Sequence, residues 1–232
     1  MKGEIFLIPV PIHQEEEFNK DLIPPIIVET INKLNFFAVE NIRTARRFIK
    51  KINPKFDIDN CEFKIIDKRV ENKVILSIIN DVKSGKSVGV MSESGCPGIA
   101  DPGQKLCEFA HKEEIRIKPL IGPSSIIMAL MASGLNGQKF TFHGYLPIKQ
   151  NERIKSIQRI SNKKGAHIFI ETPYRNKNLF KDLINNIKPS TKKLTLAIDI
   201  CGKNEKIITK SIEDYKYFEI KFKKQPTIFI FE

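Results

Sequence analysis

The sequence lacks the two short motifs that most often bind nucleotide phosphates. No Gly-x-x-x-x-Gly-Lys-Ser/Thr segment occurs in its 232 residues, so a P-loop is excluded. No Gly-x-Gly-x-x-Gly segment occurs either, so a Rossmann dinucleotide site has no support. Both types of phosphate-binding loop are therefore set aside.

Cysteine and histidine are scarce and scattered. The four cysteines form no Cys-x-x-Cys pair, which argues against a zinc ribbon and against a dense disulfide framework. The four histidines show no metal-ligand spacing, so no metal site is predicted. Isolated cysteines suit a reducing compartment, and we expect a cytoplasmic protein.

Long apolar runs are also absent. The stretch Ile5–Ile12 is interrupted by Pro9 and Pro11, and no small-residue cleavage site follows it. The longest uncharged run, Pro119–Gln138, contains several glycines and prolines, whereas a spanning helix needs about 20 apolar residues. We therefore expect neither a membrane span nor a signal peptide.

The charge is unevenly distributed along the chain. It carries 39 Lys and Arg against 27 Asp and Glu, a net charge of +12. Residues 1–139 hold 20 basic and 18 acidic side chains, a net of +2, whereas residues 140–232 hold 19 and 9, a net of +10. A basic half favours a polyanionic partner such as RNA. The alternative is the solvated surface of a lysine-rich chain.

Short apolar runs alternate with amphipathic segments, which predicts an α/β protein of two α/β domains. The sheet is expected to be mostly parallel in the first domain and mixed in the second. We place the boundary after residue 120, which gives an N-terminal domain of residues 1–120 and a C-terminal domain of residues 121–232. The predicted strands are Ile5–Val10, Phe36–Val39, Cys61–Ile66, Ser87–Met91, Ile115–Leu120, Phe140–His143, Ala166–Ile170, Lys193–Asp199, Lys206–Ser211 and Thr227–Phe231. The predicted helices are Leu22–Leu34, Ile42–Lys51, Val70–Lys83, Gln104–His111, Ser125–Ala132, Glu152–Ile160 and Asn176–Asn186.

Four predicted strands end in unusual loops, and ligands of open α/β sheets bind at such ends. The first, Pro9-Val10-Pro11-Ile12, is by itself better explained as a rigid strand exit. The segment Ser92–Gly103 holds three glycines and two prolines and is longer than a plain connection, which predicts a binding loop. The serines at 124 and 125 open a helix whose free N–H groups suit an anion, although a plain N-cap is the alternative. Glu171 is a candidate to accept hydrogen bonds from a ligand, although an N-cap followed by an exposed Arg175 is the alternative.

In chain order, six segments resemble the class III tetrapyrrole-methylase superfamily of S-adenosylmethionine-dependent methyltransferases. Among its branches they are most similar to ribosomal RNA small subunit methyltransferase I, which methylates a cytidine 2′-hydroxyl. The segments that carry the resemblance are Val10-Pro11-Ile12, Val39-Glu40-Asn41-Ile42-Arg43, Ser92-Glu93-Ser94-Gly95-Cys96-Pro97 with Asp101-Pro102-Gly103, Pro119-Leu120-Ile121-Gly122-Pro123-Ser124, Gly144-Tyr145-Leu146-Pro147 and Ile170-Glu171-Thr172-Pro173-Tyr174-Arg175.

Four positions depart from the motifs of that branch. His13-Gln14 stands where the branch has Gly-Asn, Asn41 replaces an aspartate, and Glu93 replaces another aspartate while keeping the carboxylate.

The resemblance implies two α/β domains with S-adenosylmethionine in the cleft between them, and a homodimer. It also implies a set of cofactor-binding residues, which come from the strand-end loops and the last strand. These are Ile12, Glu93, Ser94, Gly95, Cys96, Gly98, Ser124, Ser125, Ile126, Glu171, Thr172, Pro226 and Thr227.

A ribose acceptor must lose its proton as the new bond forms, which requires a base. The candidate bases are Glu40, Glu93 and Asp101, with Arg43 as a phosphate ligand. Each is alternatively an ordinary ion pair or turn carboxylate. Glu93 is alternatively a cofactor ligand, and Asp101 is alternatively a cap of the helix that follows it. A stripe of basic residues at helical spacing is a candidate path for RNA, with a solvated helix face as the alternative. It comprises Lys149, Arg153, Lys155 and Arg159.

Three functions remain open at this point. The first is ribose 2′-O-methylation of small-subunit ribosomal RNA. The second is methylation of a tetrapyrrole or another small molecule, since tetrapyrrole carboxylates also attract cations. The third is a non-catalytic protein that binds the cofactor or RNA.

Overall fold

A computed structural model describes residues 1–13 and 23–232, and it separates into two compact units. Unit 1 comprises Met1–Ser124, and unit 2 comprises Ser125–Glu232. Among the described residues, no helix is long and apolar enough to cross a membrane.

Unit 1 is built on a five-stranded sheet in which every pairing is parallel. Its strands are β1 (Ile5–Leu7), β2 (Phe36–Val39), β3 (Glu62–Ile65), β4 (Val88–Met91) and β5 (Ile117–Pro119), in the spatial order β3-β2-β4-β1-β5. The helices are α1 (Pro25–Asn32), α2 (Ile42–Ile52), α3 (Asn72–Lys83) and α4 (Gln104–Lys112).

Both faces of this sheet are covered, which explains why its central strands are apolar at consecutive positions. Every residue of β2 and β4 is buried. Ile75 and Ile79 of α3 and Leu106 of α4 pack in one apolar cluster against the sheet. The residues of α1 and α2 pack in a second cluster with Phe37 and Val39.

Unit 2 contains a mixed sheet in the order β6-β7-β10-β8-β9, in which β6 and β7 are parallel and the other pairs are antiparallel. The strands are β6 (Phe140–Phe142), β7 (Ala166–Glu171), β8 (Lys193–Ile198), β9 (Lys206–Ser211) and β10 (Thr227–Phe231). The helices are α5 (Ser125–Ser133), α6 (Gln150–Ser161), α7 (Asn176–Asn186) and α8 (Ile212–Tyr215).

The two faces of the second sheet are covered by different helices. Leu194 and Leu196 of β8 pack in one apolar cluster with residues of α6, α7 and α8. Successive side chains of a strand point to opposite faces, so Thr195 points away from that cluster. Its hydroxyl lies 2.8 Å from the hydroxyl of Thr209, which donates to the Ser133 carbonyl at the end of α5. Helix α5 therefore lies on the other face.

All the predicted strands and helices are present, with boundaries that shift by up to three residues. The predicted helix at Leu22–Leu34 is shorter and begins with Pro25 at its first position, while Leu22 lies outside the described residues. The two-domain α/β fold with one parallel and one mixed sheet is confirmed. The four-residue helix α8 was not predicted; Ser211 caps it by accepting a hydrogen bond from the Asp214 N–H.

Candidate functional site

The carboxyl ends of β1 and β4 are joined by backbone and side-chain hydrogen bonds. Val10 and Gly95 form an isolated antiparallel bridge, with N···O distances of 2.9 and 3.1 Å. Beside this bridge, the hydroxyl of Ser94 donates a hydrogen bond to the carbonyl of Ile12 over 3.1 Å. The structure thus brings Ile12 and the loop Glu93–Gly98 together at one edge of the sheet.

Three glycines give the loop after β4 its shape. Gly95, Gly98 and Gly103 have φ angles of 64°, 81° and 134°, in the left-handed region that L residues other than glycine rarely adopt. A Cβ at Gly103 would also lie 3.1 Å from the Gly98 nitrogen. That nitrogen donates to the Pro102 carbonyl over 3.0 Å. The backbones of Gly98 and Gly103 therefore approach each other too closely for a side chain at position 103.

The segment after β5 packs directly on the end of β1. A Cβ at Gly122 would lie 2.6 Å from the Pro9 Cγ, so only glycine fits beside the proline ring. The Cys96 thiol donates to the Pro123 carbonyl over 3.3 Å. Ser124 follows Pro123, so the predicted residues after β1, β4 and β5 meet at one edge of the sheet of unit 1.

Three carboxylates gather at the same edge. The Glu40 carboxylate accepts a hydrogen bond from the Glu93 N–H over 3.1 Å, which ties the end of β2 to the loop after β4. Burial raises the pKa of Asp101 from 3.8 to about 6, and the negative charges of Glu40 and Glu93 add to that rise, while Lys68 opposes it. Asp101 is therefore poised to accept a proton near neutral pH.

Asn41 acts as the N-cap of α2. Its side-chain oxygen accepts a hydrogen bond from the Thr44 N–H over 3.2 Å, which is the interaction that an aspartate would make at this position. The Thr44 hydroxyl lies 3.3 Å from a carboxylate oxygen of Glu93, to which it donates. Arg43, in the first turn of α2, is exposed. The departure at Asn41 thus keeps the local geometry.

In unit 2, Glu171 lies at the carboxyl end of β7 with its side chain fully buried. Its Oε1 accepts hydrogen bonds from the Thr172 N–H and from Nε and Nη2 of Arg175, at 2.6 to 2.9 Å. Its Oε2 is buried and has no hydrogen-bond partner among the described residues. Arg175 is thus a hydrogen-bond partner of Glu171, and Arg175 rather than Glu171 lies at the N-cap position of α7.

A second buried oxygen without a partner lies close to Glu171. Thr227, the first residue of β10, is the cross-strand neighbour of Glu171 and follows the exposed Pro226. The Asn176 amide donates to the Thr227 hydroxyl over 3.0 Å, whereas the Asn176 Oδ1 is buried and unsatisfied within the described part of the chain. Unmet buried oxygens cost free energy, so this edge is arranged to receive hydrogen-bond donors.

Helix α5 begins near this edge of the second sheet. It opens with Ser125 and Ile126, and one turn later the sulfur of Met128 lies 3.8 Å from that of Cys201, which follows β8. The end of β8 is paired with the start of β10 through Ile198 and Thr227. The predicted cofactor residues of unit 2 therefore share one edge of its sheet.

The predicted basic stripe on α6 is wrong at one position. Arg153 is buried, and it forms an ion pair with the equally buried Asp182 at 2.7 Å and donates to the carbonyls of Pro147 and Ile148. Its guanidinium holds α6 on α7 and cannot contact RNA. Lys155 and Arg159 remain exposed. No group of three or more metal-ligating side chains occurs within residues 1–13 and 23–232.

Sequence reasoning missed three residues that the structure places in these sites. Thr44 contacts Glu93, Lys68 lowers the pKa of Asp101, and Asn176 presents an unsatisfied oxygen beside Thr227. Thr44 follows the capping Asn41 at the N3 position, which is a signal that could have been used. Lys68 and Asn176 reach their sites only through tertiary contacts, and the sequence carries no separate signal for them.

The chain matches a family model described as Tetrapyrrole (Corrin/Porphyrin) Methylases over residues 19–216. It is 30% identical over 185 residues to a protein of Halalkalibacterium halodurans named ribosomal RNA small subunit methyltransferase I, covering 79% of this chain and 60% of that protein. A protein of the same name from Buchnera aphidicola subsp. Schizaphis graminum is 31% identical, with coverage of 88% and 68%. The chain thus spans about two thirds or less of the length of these relatives.

Two solved structures share the fold at low sequence identity. A cobalamin biosynthetic enzyme, cobalt precorrin-4 methyltransferase, superposes with a TM-score of 0.61 at 14% identity, covering 98% of this chain and 94% of the other. Uroporphyrin-III C-methyltransferase from Thermus thermophilus, complexed with S-adenosylhomocysteine, gives a TM-score of 0.57 at 10% identity, with coverage of 99% and 97%.

Proposed function

Because this chain belongs to the tetrapyrrole methylase family, we propose that it is an S-adenosylmethionine-dependent methyltransferase that methylates a ribose 2′-hydroxyl of small-subunit ribosomal RNA. The observation that supports the RNA substrate is the similarity, near 30% identity, to relatives named ribosomal RNA small subunit methyltransferase I. The ribose 2′-hydroxyl as acceptor follows from the motif resemblance. The net charge of +10 on residues 140–232 is consistent with a polyanionic substrate.

The residues at the sheet edge of unit 2 that ends with Glu171 suit an S-adenosyl group. Its hydroxyl and amino donors match the unsatisfied oxygens of Glu171 and Asn176. Its carboxylate matches the N–H groups at the start of α5, where the helix dipole favours an anion. When bound, the cofactor supplies a methyl group that is activated by its sulfonium centre.

In this proposal Asp101 is the general base. Proton removal accompanies attack by a ribose oxygen, and a base with a pKa near the working pH is the most effective. The pKa of Asp101, about 6, leaves it ionised at neutral pH yet still able to hold the proton that the ribose releases. Glu40 is a positioning residue, because its carboxylate holds the Glu93 N–H and its charge raises the pKa of Asp101. Arg43 is exposed on the same side and is suited to hold a phosphate.

Tetrapyrrole methylation is the second candidate, because the solved structures of similar fold act on corrin and porphyrin precursors by name. A transfer assay with both acceptors separates the two. We expect label from S-adenosylmethionine in small-subunit RNA and none in uroporphyrinogen. The opposite pattern would replace the proposed function by the second candidate.

Cofactor binding is measured separately by calorimetric titration with S-adenosylhomocysteine. We expect Glu171→Gln to weaken binding about tenfold, because a lost charge-assisted hydrogen bond costs about 1.5 kcal/mol. Glu152→Gln, on the exposed face of α6, is the matched control and should bind like the parent chain. Equal binding by both variants would contradict the role of Glu171.

Two coarser features complete the proposal. We expect a homodimer in the cytoplasm, and the exposed apolar side chains of Met131 and Ile148, 79% and 77% accessible, are consistent with a covered surface in a dimer. Sedimentation analysis at micromolar concentration tests the dimer, and a monomer at all concentrations would contradict it.

A further inference from the structure

Unit 2 contains an open groove of about 620 Å³ that is lined by five lysines. It lies at the amino ends of β6, β7 and β8, where the chain enters each strand. We call it the lysine groove, and the charged residues that line it are Lys139, Lys163, Lys164, Lys188, Lys192 and Glu232.

The positive charge of the groove is only partly compensated. None of its five lysines forms an ion pair with a carboxylate among the described residues. Glu232 is the one acidic residue in the lining, and its carboxylate already accepts a hydrogen bond from the Asn136 N–H over 2.9 Å. Helices α6 and α7 end beside the groove, and each end carries about half a negative charge. The glutamate and the helix ends together supply about two negative charges against five positive ones, so helix capping does not account for the lysines.

The lysine groove is remote from the candidate cofactor residues of unit 2. Strand β7 begins with Ala166 beside the groove and ends with Glu171, five residues later. At about 3.3 Å per residue the strand separates them by roughly 17 Å. The groove therefore lies at the opposite edge of the sheet from Glu171 and Thr227 and belongs to a different site.

We propose that the lysine groove binds the sugar–phosphate backbone of the RNA substrate, away from the nucleotide that is methylated. This inference rests on the proposed function. Among the described residues, the lining contains neither arginine nor an aromatic side chain. It therefore lacks a guanidinium for bidentate hydrogen bonds and an aromatic ring on which a base could stack. Lysines present hydrated point charges on flexible stems, which suit an extended row of phosphates without reading its sequence.

The experiment compares two variants that lose equal charge from exposed positions of unit 2. The groove variant combines Lys139→Gln, Lys163→Gln, Lys164→Gln and Lys188→Gln. The control variant combines Lys177→Gln, Lys181→Gln, Lys216→Gln and Lys223→Gln, which lie outside the groove. Binding of a labelled single-stranded RNA of mixed sequence, and of small ribosomal subunits, is titrated between about 0.05 and 0.2 M salt. Circular dichroism and thermal unfolding confirm that both variants are folded.

Each phosphate contact contributes about 0.7 to the slope of log affinity against log salt concentration. The groove variant should therefore lose about 3 from that slope and bind RNA roughly 100-fold more weakly at 0.15 M salt. The control variant should change the affinity by less than about threefold, as expected for charges that contact no phosphate. Replacement of the same four lysines of the groove by arginine should restore binding, because the charge returns.

Each remaining outcome overturns the proposal in a distinguishable way. If the groove and control variants lose equal affinity, RNA binds through general charge and the groove is not its site, although the proposed function stands. If the parent chain binds no RNA but transfers methyl groups to a small molecule, both the groove and the proposed RNA substrate are wrong. If the parent chain prefers vesicles containing phosphatidylserine to RNA, the groove serves a membrane surface instead.

Discussion

Asp101 offers the sharpest test of the candidate active site, because its proposed role conflicts with stability. Burial and the charges of Glu40 and Glu93 raise its pKa from 3.8 to about 6. Below pH 3.8 the carboxyl is protonated in the folded and the unfolded chain, so it affects neither. Between pH 3.8 and 6 the unfolded chain releases the proton first, so stability falls as the pH rises, and above pH 6 the loss is constant.

The magnitude follows from the two pKa values. A rise from 3.8 to about 6 corresponds to an upper limit of about 3 kcal/mol. Asp101 is only partly buried, so solvent screening reduces this to about 1 kcal/mol. Asp101→Asn should therefore raise the melting temperature by about 2 to 4 °C at pH 8 and leave it unchanged at pH 3.5. Differential scanning fluorimetry of both chains at the two pH values measures the difference.

The same substitution should lower methyl transfer about 10²- to 10⁴-fold, which is the usual contribution of a general base. In the parent chain kcat/KM should rise with pH and level off above about pH 7, with a midpoint near 6. Glu40→Gln should move that midpoint to lower pH and Lys68→Gln to higher pH, because their charges act on the pKa of Asp101 in opposite directions. Glu108→Gln, on the exposed surface of α4, is the control.

The reasoning would be refuted by an Asp101→Asn chain that keeps its activity. It would also be refuted if Glu40→Gln and Lys68→Gln moved the midpoint in the same direction. A gain in stability without a loss of activity would show that Asp101 is strained for a reason other than catalysis.

Three further predictions concern residues that affect the stability of the folded chain. Gly122→Ala should destabilise unit 1 by about 1 to 3 kcal/mol in urea unfolding, because the new Cβ overlaps the rigid ring of Pro9. Arg153→Gln should cost about 3 to 5 kcal/mol in the same assay, because it leaves Asp182 charged and buried without its partner. Burial and neighbouring cations lower the pKa of His143 from 6.5 to about 4. The unfolded chain therefore gains a proton first as the pH falls through 6.5, and His143→Gln should recover about 1 kcal/mol at pH 4.5.

Each of these predictions has a matched control or a contrary outcome. Gly137→Ala meets no atom within 4 Å and should be neutral, so equal losses at both glycines would contradict the steric argument. Arg159→Gln removes an exposed charge from the same helix as Arg153 and should change stability by less than about 0.5 kcal/mol. If the parent and His143→Gln chains lose equal stability between pH 7 and pH 4.5, the acid sensitivity arises elsewhere.

The fold could be predicted from the sequence because its signals are local. The run Phe36–Val39 is apolar at four consecutive positions, as a strand covered on both faces must be, and the strand lies where it was predicted. The helix predicted from Ile42 follows Asn41, a residue type that caps helices, and Asn41 does cap it. The helix Ile212–Tyr215 escaped prediction because four residues carry too little periodicity, and the Tyr215 hydroxyl donates to the Ile208 carbonyl of the preceding strand β9.

The sequence predicts where the loops of the candidate site lie, but it does not predict the pKa values of the side chains in it. The glycines and prolines of the loop after β4 mark it in the sequence, whereas the pKa of Asp101 depends on Glu40 and Lys68, which reach it only in the folded chain. Arg153 shows the converse. Its spacing on α6 placed it on a basic stripe, but the packing of α6 on α7 buries it against Asp182. Periodicity identifies a face of a helix and cannot say which partner that face meets.

The most direct test of the central claim is methyl transfer from labelled S-adenosylmethionine to small ribosomal subunits, and to their naked RNA, from cells that lack this protein. The account predicts label in RNA that maps to a ribose 2′-oxygen and disappears with Asp101→Asn. Cofactor binding without any label in RNA would contradict the proposed function.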